Sequence, residues 1–473
     1  MNDTKPEPKL RGRRLRMGER RIILIFGDLI MATVSLVAGL YVWAAAETFQ
    51  KTFLIFLRDR PDRWFFLLPL FWLILLVESY DTHRSSDWSR TLRGVAYAAV
   101  LGVGLYLIFF FIDPRALPRR GVAVFVAGAV VLTLLWRWVY IRIFTAPGFL
   151  RRVLLVGAGS TGEALLQVIA RLDPQPFHLV GVIDDDKKKI GKAIHGFEVL
   201  GDSSKLLSYV QESGVSDVIV AISGRMGNRM FQALLAVQES GVEITRMPVA
   251  YEELLRRVPV EHLEADWILR SFVDEAKAGN FYETWKRLLD IIGGLVGVAI
   301  LALITPFVSL AIYLDGGRPI VFKQTRAGKW GRPYTIMKFR TMRHDAEKDG
   351  AQLAKEDDMR ATKIGRFMRK TRLDEWPQFI NVLRGEMSLV GPRPERPELM
   401  RHFEEQIPFY RGRLLDKPGI TGWAQVNYGY PSSVEQMTIK LEYDLYYIKH
   451  RSILLDLVII LRTFGTVIGF RGQ

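Results

Sequence analysis

Residues 22–46, 64–77, 95–112 and 122–143 are apolar stretches that constrain this chain more than any other feature, because each approaches the roughly 20 residues needed to cross a bilayer. Lipid offers the backbone no hydrogen bonds, so these stretches are expected as helices, and together as a four-helix membrane bundle over 22–146. The 64–77 stretch is the shortest; its Trp64, Phe65, Phe66 and Trp72 suit an interfacial aromatic belt. Lys9, Arg11, Arg13, Arg14, Arg16, Arg20 and Arg21 stand directly ahead of the first stretch, in a basic tail over 1–21, and predict a cytoplasmic N-terminus. That first stretch is too long for the apolar core of a signal peptide.

A length of 473 residues predicts about three domains. The net charge of +15 would suit nucleic acid, but much of it borders the apolar stretches and no nucleic-acid reading module accompanies it. Acidic membrane lipid is therefore the expected partner, and nucleic acid is not. Cysteine is absent, which excludes disulfides, thiolate zinc sites and a cysteine nucleophile, and accords with a reducing compartment.

The run RVLLVGAGSTGEALL at 152–166 reads as a buried strand, a glycine turn and a helix. Gly157, Gly159 and Gly162 fit G-x-G-x-x-G, and a second strand over 177–183 ends at Asp184, where a ribose-binding acid would stand. Further parallel strands are expected at 217–222 and 242–247. The span 147–265 is thus expected as an α/β Rossmann-like domain. An NAD-type nucleotide is one reading of the motif. The other is that the glycines serve close strand–helix packing, in a domain that regulates or braces a homodimer.

Beyond a linker over 266–284, RLDEWPQ at 372–378 sets two carboxylates, Asp374 and Glu375, at the expected start of a helix. Asp374 is of the type that caps helices, Pro377 is tolerated in a first turn, and the free N–H groups of such a turn favour anions. The carboxylates would repel a phosphate, so a divalent cation on Asp374 and Glu375 is expected, Mg²⁺ first and Mn²⁺ as the alternative. Plain helix capping is the competing reading. Nearby lie KFRTM at 338–342, GPRP at 391–394 and KPGITGWAQ at 417–425. Lys338 and Arg340 share one face of an expected strand, as a pyrophosphate clamp would need. This succession resembles the bacterial sugar transferases, the monotopic polyprenyl-phosphate glycosyl-1-phosphate transferases, over about 285–473. The upstream chain resembles the long form of that family, with a membrane bundle and a nucleotide-binding-like domain.

The resemblance implies a mixed, mainly α catalytic domain over 285–473. It implies that Asp374 attacks the sugar-bearing phosphate of a UDP-sugar, expels UMP and holds the phosphosugar until polyprenyl phosphate takes it, with Glu375 helping to bind Mg²⁺. Arg393, stiffened between Pro392 and Pro394, and Arg413 match family motifs near the phosphates, and Asp444 matches an acid of the closing motif. Arg372 joins them or forms a surface ion pair. Trp423 faces a base or sugar, or belongs to a structural turn. An enzyme of this kind initiates exopolysaccharide, capsule or O-antigen assembly at the bacterial inner membrane. The rival reading, a membrane-bound NAD-dependent nucleotide-sugar dehydratase or epimerase, needs a Tyr-x-x-x-Lys pair. Tyr334 and Lys338 match by spelling, but on a strand such side chains stand about 13 Å apart; Tyr282 and Lys286 fall at the edge of the linker.

Residues 291–313 are again long enough to span, but Thr305 and Pro306 interrupt them, and a kinked transmembrane helix is one reading. Parity favours another. Four crossings return the chain to the cytoplasm, and a fifth would carry the catalytic motifs away from cytosolic substrates. A re-entrant helix over 288–314, broken at Thr305 and Pro306, keeps them there, as the resemblance also implies. The last apolar run, 453–470, contains Asp456 and Arg462, costly at a bilayer centre, and is expected as an interfacial or packed amphipathic helix.

Overall fold

The computed structural model of the protein describes residues 17–46, 53–80, 87–112, 119–144, 150–173, 175–263, 280–343, 360–429, 431 and 433–468. Lys9, Arg11, Arg13, Arg14 and Arg16 of the basic tail, and the linker up to residue 279, lie outside them. The chain divides into two compact units, Met1–Met247 and Pro248–Gln473.

In the first unit, helices Met17–Ala46, Trp88–Ile112 and Arg119–Phe144 are apolar and long enough to cross a membrane. Ile22, Phe26, Ile30, Val34, Val37 and Tyr41 form an exposed stripe at helical spacing on the first of them. Leu24, Ala32, Leu36 and Leu40 face inward. Within this interior Arg137 Nη2 donates to Asp28 Oδ2 at 2.7 Å, and both side chains are fully buried. Arg137 Nη1 donates to Ser79 O at 3.3 Å, so one guanidinium joins two long helices to the turn Val77–Tyr80. Pairing of this kind is how charges are tolerated at membrane depth.

The 64–77 stretch differs from the four-helix expectation. It forms a 3-10 turn, Arg63–Leu67, and an eight-residue helix, Leu68–Leu75, in place of one continuous helix long enough to cross by itself. Pro61 and Pro69 lack the N–H that a propagating helix needs, so no single helix runs on from Phe53–Asp59.

The remainder of this unit is an α/β sheet domain. Strands β1 (Arg152–Val156), β2 (His178–Ile183), β3 (Ala193–Ile194), β4 (Phe197–Gly201), β5 (Asp217–Val220) and β6 (Glu243–Arg246) stand in the order β3-β4-β2-β1-β5-β6. All neighbours are parallel except the β3–β4 pair. Helices Ser160–Arg171, Leu206–Glu212 and Asn228–Glu239 connect them around Leu154, Val156, Ile183, Val218 and Leu234. β1, β2, β5 and β6 fall where the sequence leads one to expect strands, with Asp184 directly after β2, while β3 and β4 are additional. A Cβ on Gly162 would overlap the carbonyl oxygen of Gly157, which itself sits at φ +103°. Asp184 Oδ2 accepts from Ala158 N at 2.6 Å, and Lys189 Nζ donates to Ala158 O at 2.9 Å. Close packing thus explains Gly157 and Gly162, whereas a Cβ on Gly159 would meet nothing within 4 Å.

The second unit is organised on helix Asn280–Gly316, whose hydrogen bonding continues through 37 residues with Pro306 inside it instead of breaking into two helices. Proline removes only its own donor, and the Thr305 hydroxyl donates to Leu301 O at 2.6 Å beside it. Strands β7 (Val321–Ala327) and β8 (Pro333–Phe339) pair antiparallel; β9 (Ser388–Val390) and β10 (Gly419–Thr421) pair parallel. Helices Lys363–Lys370, Gln378–Arg384, Pro397–Glu404, Val434–Lys449 and Ile453–Ile468 complete the body.

The charges of the last apolar run are packed, as expected. Asp456 is buried and accepts from Tyr447 at 2.8 Å, and from Tyr282 and Lys286 at 3.1 Å each. Arg462 Nη1 donates to Asn427 Oδ1 at 2.7 Å and lies over the Trp423 ring. Asp456→Ala would leave the Lys286 ammonium buried without its counter-charge, a loss of about 3–5 kcal/mol. The expected outcome is a clear drop in melting temperature in detergent, smaller for Asp456→Asn, whose carbonyl still accepts.

Candidate active site

Three chain segments converge on Glu375. Lys338 comes from β8, opposite Phe322 of β7. Arg393 comes from the stretch between β9 and helix Pro397–Glu404, held between two prolines. Arg372 ends helix Lys363–Lys370 by turning into the left-handed region, φ +55°, which for a side chain with a Cβ costs about 1–2 kcal/mol. This turn starts the 3-10 segment Leu373–Glu375, followed by helix Gln378–Arg384. Asp374 is therefore inside the 3-10 turn and not its cap: Arg372 occupies the capping position, with no side-chain cap bond. The capping reading of the Asp-Glu pair has no support in this geometry.

The two carboxylates have opposite surroundings. Glu375 Oε1 accepts from Lys338 Nζ at 3.1 Å and Arg393 Nη2 at 3.0 Å, and Oε2 lies 3.6 Å from Arg372 Nη1. Burial alone would raise its pKa, but Lys338, Arg393 and Arg372 outweigh burial and hold it well below the usual carboxylate range. Asp374 is 8% exposed, and its carboxylate accepts no hydrogen bond among the described residues. Burial pushes its pKa up to about 6, and the charge on Glu375 adds to this, against Lys338, Arg393 and Arg369. Adjacent acids driven apart in this way are the pattern of a working pair.

Asp374 and Glu375 line a cavity of about 450 Å³. Its wall carries ten basic side chains and three acidic ones, an excess that suits a substrate with several negative charges. Lys338, Arg340, Arg372 and Arg393 line it with the carboxylates. The guanidinium of Arg340, however, is directed to the end of the long helix, donating to Gly316 O and Gly317 O at 2.6 Å and to Arg318 O at 2.7 Å. Arg413 and Asp444 stand behind the wall. Arg413 Nη2 donates to Asp444 Oδ2 at 2.8 Å and to Arg393 O at 3.0 Å, so this buried pair fixes the backbone that carries Arg393.

The third acid of the wall, Glu395, bonds Lys440 at 2.8 Å and lies 3.6 Å from Arg413. Burial opposes its ionisation, but Lys440 and Arg413 prevail and hold its pKa at about 2. Glu395 and Lys440 escaped the sequence reading, as did Arg326, Arg343, Arg360, Arg369, Arg396 and Gln378. The alternation of half-buried Phe322, Gln324 and Arg326 along β7 was a usable signal for one of them. Arg343 and Arg360 meet through a backbone bond, Arg343 N to Arg360 O at 3.0 Å, that no local pattern announces.

Other candidates resolve into structure. Trp423 is buried, donates from Nε1 to Arg256 O at 2.9 Å, and packs on Tyr446; it does not line the cavity. Tyr334 and Lys338 both sit on β8, and Tyr282 and Lys286 both bond Asp456. Neither Tyr-x-x-x-Lys pair belongs to the glycine-motif domain, and the dehydratase or epimerase reading is not favoured.

The family model described as bacterial sugar transferase matches residues 281–470, and one described as CoA-binding domain matches 76–248. A UDP-N-acetylgalactosamine-undecaprenyl-phosphate N-acetylgalactosaminephosphotransferase of Aeromonas hydrophila is 39% identical over 223 residues, 47% of this chain and 52% of that protein. A UDP-glucose:undecaprenyl-phosphate glucose-1-phosphate transferase of Escherichia coli K12 is 30% identical over 66% of this chain and 67% of that protein. The uncharacterized sugar transferase EpsL of Bacillus subtilis is 39% identical over 40% of this chain and 89% of its own length. The chain thus spans about half the length of the first of these relatives (52%) and most of the last. With the motifs assembled around one cavity and these matches across them, the chain belongs to the bacterial sugar transferase family.

Proposed function

We propose that the protein transfers a hexose-1-phosphate from a UDP-sugar to undecaprenyl phosphate through a phosphosugar ester on Asp374, as the first step in assembling a surface polysaccharide. The observation that carries this reading is the Asp374 carboxylate itself, buried in a basic cavity and hydrogen-bonded to nothing among the described residues. The names of the Aeromonas and Escherichia relatives support the donor and acceptor classes.

In this reaction an Asp374 oxygen attacks the phosphorus bearing the sugar, and the bond from that phosphorus to UMP breaks, UMP leaving with the electron pair. A phosphate oxygen of the lipid then attacks the same phosphorus, the bond to Asp374 breaks, and the carboxylate is regenerated. Attacking and leaving atoms are anionic oxygens, so charge neutralisation and alignment are the main demands on the protein. Lys338, Arg393 and Arg372 supply positive charge while Glu375 keeps them in place.

Among the described residues no group of three or more His, Cys, Asp or Glu gathers to hold a metal. The donor set instead fits one carboxylate plus phosphate oxygens, the usual Mg²⁺ arrangement, with Asp374 as the available ligand because Glu375 is engaged by cations. Bound there, Mg²⁺ would offset charge on the phosphates.

We place this site on the cytoplasmic face, with the broken helical segment 53–80 making the fourth crossing beside the three long helices and helix Asn280–Gly316 entering the near leaflet without crossing it. A crossing needs about 20 residues free to sit in hydrocarbon. Along this helix Arg287 bonds Val382 O and Leu383 O, Asp290 bonds Ser388, Gly297 abuts Phe379, Leu301 and Ile312 share a core with Phe339, and Asp315 bonds Ile364 N. No interval of that length is free of the catalytic body. The opposite stripe, including Phe281, Leu288, Ile292, Leu303, Phe307 and Leu314, is exposed and apolar, as a lipid-facing surface would be.

Protein supplied with UDP-sugars, Mg²⁺ and undecaprenyl phosphate is expected to release UMP, and donor alone to leave a phosphosugar mass on the peptide bearing Asp374; release of UDP instead would overturn the mechanism. Turnover should fall as pH drops through about 6, since the reacting form is the carboxylate whose pKa burial has raised. Folding stability should run the other way. The raised folded pKa means stability is full below the ordinary carboxylate range and is lost as pH rises through about 6. Asp374→Asn should therefore abolish UMP release yet melt higher than the parent at pH 8, by up to about 3 kcal/mol equivalent, with the difference closing towards pH 4. For membrane placement, Glu435→Cys should react with an impermeant thiol reagent only from the cytoplasmic side; periplasmic labelling would refute the leaflet reading.

A further inference from the structure

Gln378 follows Asp374 by four residues and opens helix Gln378–Arg384, directly after the 3-10 turn that carries Asp374. It lines the same cavity and is 2% exposed, and its amide Nε2 has no hydrogen-bond partner among the described residues. Burying an amide donor without an acceptor costs about 1–3 kcal/mol, and groups so placed are otherwise nearly always bonded. Its neighbours in sequence and space are all engaged. Lys338 and Arg393 bond Glu375, and Arg340 bonds the end of the long helix. Asn381, the next amide of the same helix, gives Nδ2 to Thr335 O at 2.8 Å and Glu386 Oε2 at 2.6 Å. Arg326 Nε and Arg372 Nε in the cavity wall also lack a partner, but each belongs to a guanidinium whose other nitrogens are engaged, Arg326 with Pro394 O and Gln324 and Arg372 with Glu375; among the described residues of the wall, Gln378 is the neutral side chain with an unused buried donor.

We infer that the missing acceptor arrives with the substrate: the Gln378 carboxamide donates a hydrogen bond to a non-bridging oxygen of the phosphoryl group as it passes onto and off Asp374. The inference rests on the reaction proposed above and adds a residue to it. A neutral donor is suited to this place. A lysine or arginine at this position in the same cavity would pair with the attacking carboxylate and blunt it, whereas an amide stabilises charge gathering on the phosphoryl oxygens without competing for the nucleophile. The carboxamide is planar and its two ends are isosteric, so a half-turn about its last bond brings either end to the cavity. Presentation of the carbonyl to Mg²⁺ is the alternative that an experiment must separate.

Gln378→Ala and the isosteric Gln378→Glu are to be made in the full chain, with UMP release measured against donor concentration and against Mg²⁺, and melting recorded in parallel. Gln378→Ala is expected to lower kcat by about 10²-fold, the usual loss for one transition-state donor, with KM for the donor little changed and melting not lowered. Gln378→Glu, which can only accept, should lose at least as much, with an unchanged Mg²⁺ requirement. Parental kcat in Gln378→Ala overturns the inference. So does a Gln378→Glu protein that turns over at the parental rate, whether its Mg²⁺ requirement falls, which gives the carbonyl to the cation, or stays the same while Gln378→Ala merely melts lower, which makes the residue structural. A parent protein that releases no UMP defeats the proposed reaction itself, a separate result.

Discussion

The ion cluster on Glu375 is the interaction on which the rest of the catalytic body depends. One carboxylate ties a strand, a proline-bounded loop and the turn after a helix together through Lys338, Arg393 and Arg372. Three cations in so small a volume would repel one another, and a single acid would be suppressed by burial; each is tolerated because of the other. The consequence for Asp374 is indirect. Because its neighbour absorbs the positive charge, Asp374 accepts no hydrogen bond among the described residues while standing beside cations that a phosphate can share.

A second buried cluster stabilises the first from behind. Arg413 bonds Asp444 and the carbonyl of Arg393, and Glu395 joins it directly while also binding Lys440. The two arginines that the sequence places near the phosphates thus stand in different positions, Arg393 at the cavity wall and Arg413 holding Arg393's backbone. Rigid support at this depth matters because displacement of a charged group by a fraction of an ångström changes its interaction with a phosphoryl oxygen severely. The arrangement also stores cost at one point: burial and the charge of Glu375 raise the pKa of Asp374, so its ionised form is maintained against the preference of the fold.

Much of this was legible in the chain because it is local. The glycine turn, the strand ending at Asp184, the apolar helices and the Asp-Glu dyad each announce themselves within about 20 residues. The departures arise where a side chain's destination depends on distant backbone. Lys338 and Arg340 alternate with Phe339 and both reach the cavity wall, but Arg340 meets three free carbonyls at the end of a helix formed some 20 residues earlier, and its guanidinium goes there. Trp423, set among glycines, looked available to a ligand, yet Arg256 O and Tyr446 claim it. Asp374 had the chemistry of a cap, and only the left-handed turn at Arg372 takes that position from it. The shortest apolar stretch was misjudged for a simpler reason: Pro61 and Pro69 outweigh its hydrophobicity in deciding helix length.

Helix Asn280–Gly316 shows why hydrophobicity alone cannot assign a membrane crossing. By length and composition it qualifies as fully as the helices of the first unit. Its polar residues differ in purpose from Asp28 and Arg137, which pair with each other inside the bundle. Lys286, Arg287, Asp290 and Asp315 instead bond residues of the catalytic body at both ends of the helix. A segment held in this way exposes one apolar stripe and commits the other face to protein. The hydrocarbon that meets such a stripe must lie beside the body, so a substrate with a lipid tail and a phosphate head could reach a basic cavity in that body without its tail leaving the bilayer. This geometry suits the membrane-bound acceptor and water-soluble donor of the proposed reaction, in which the helix would be a docking surface as much as an anchor.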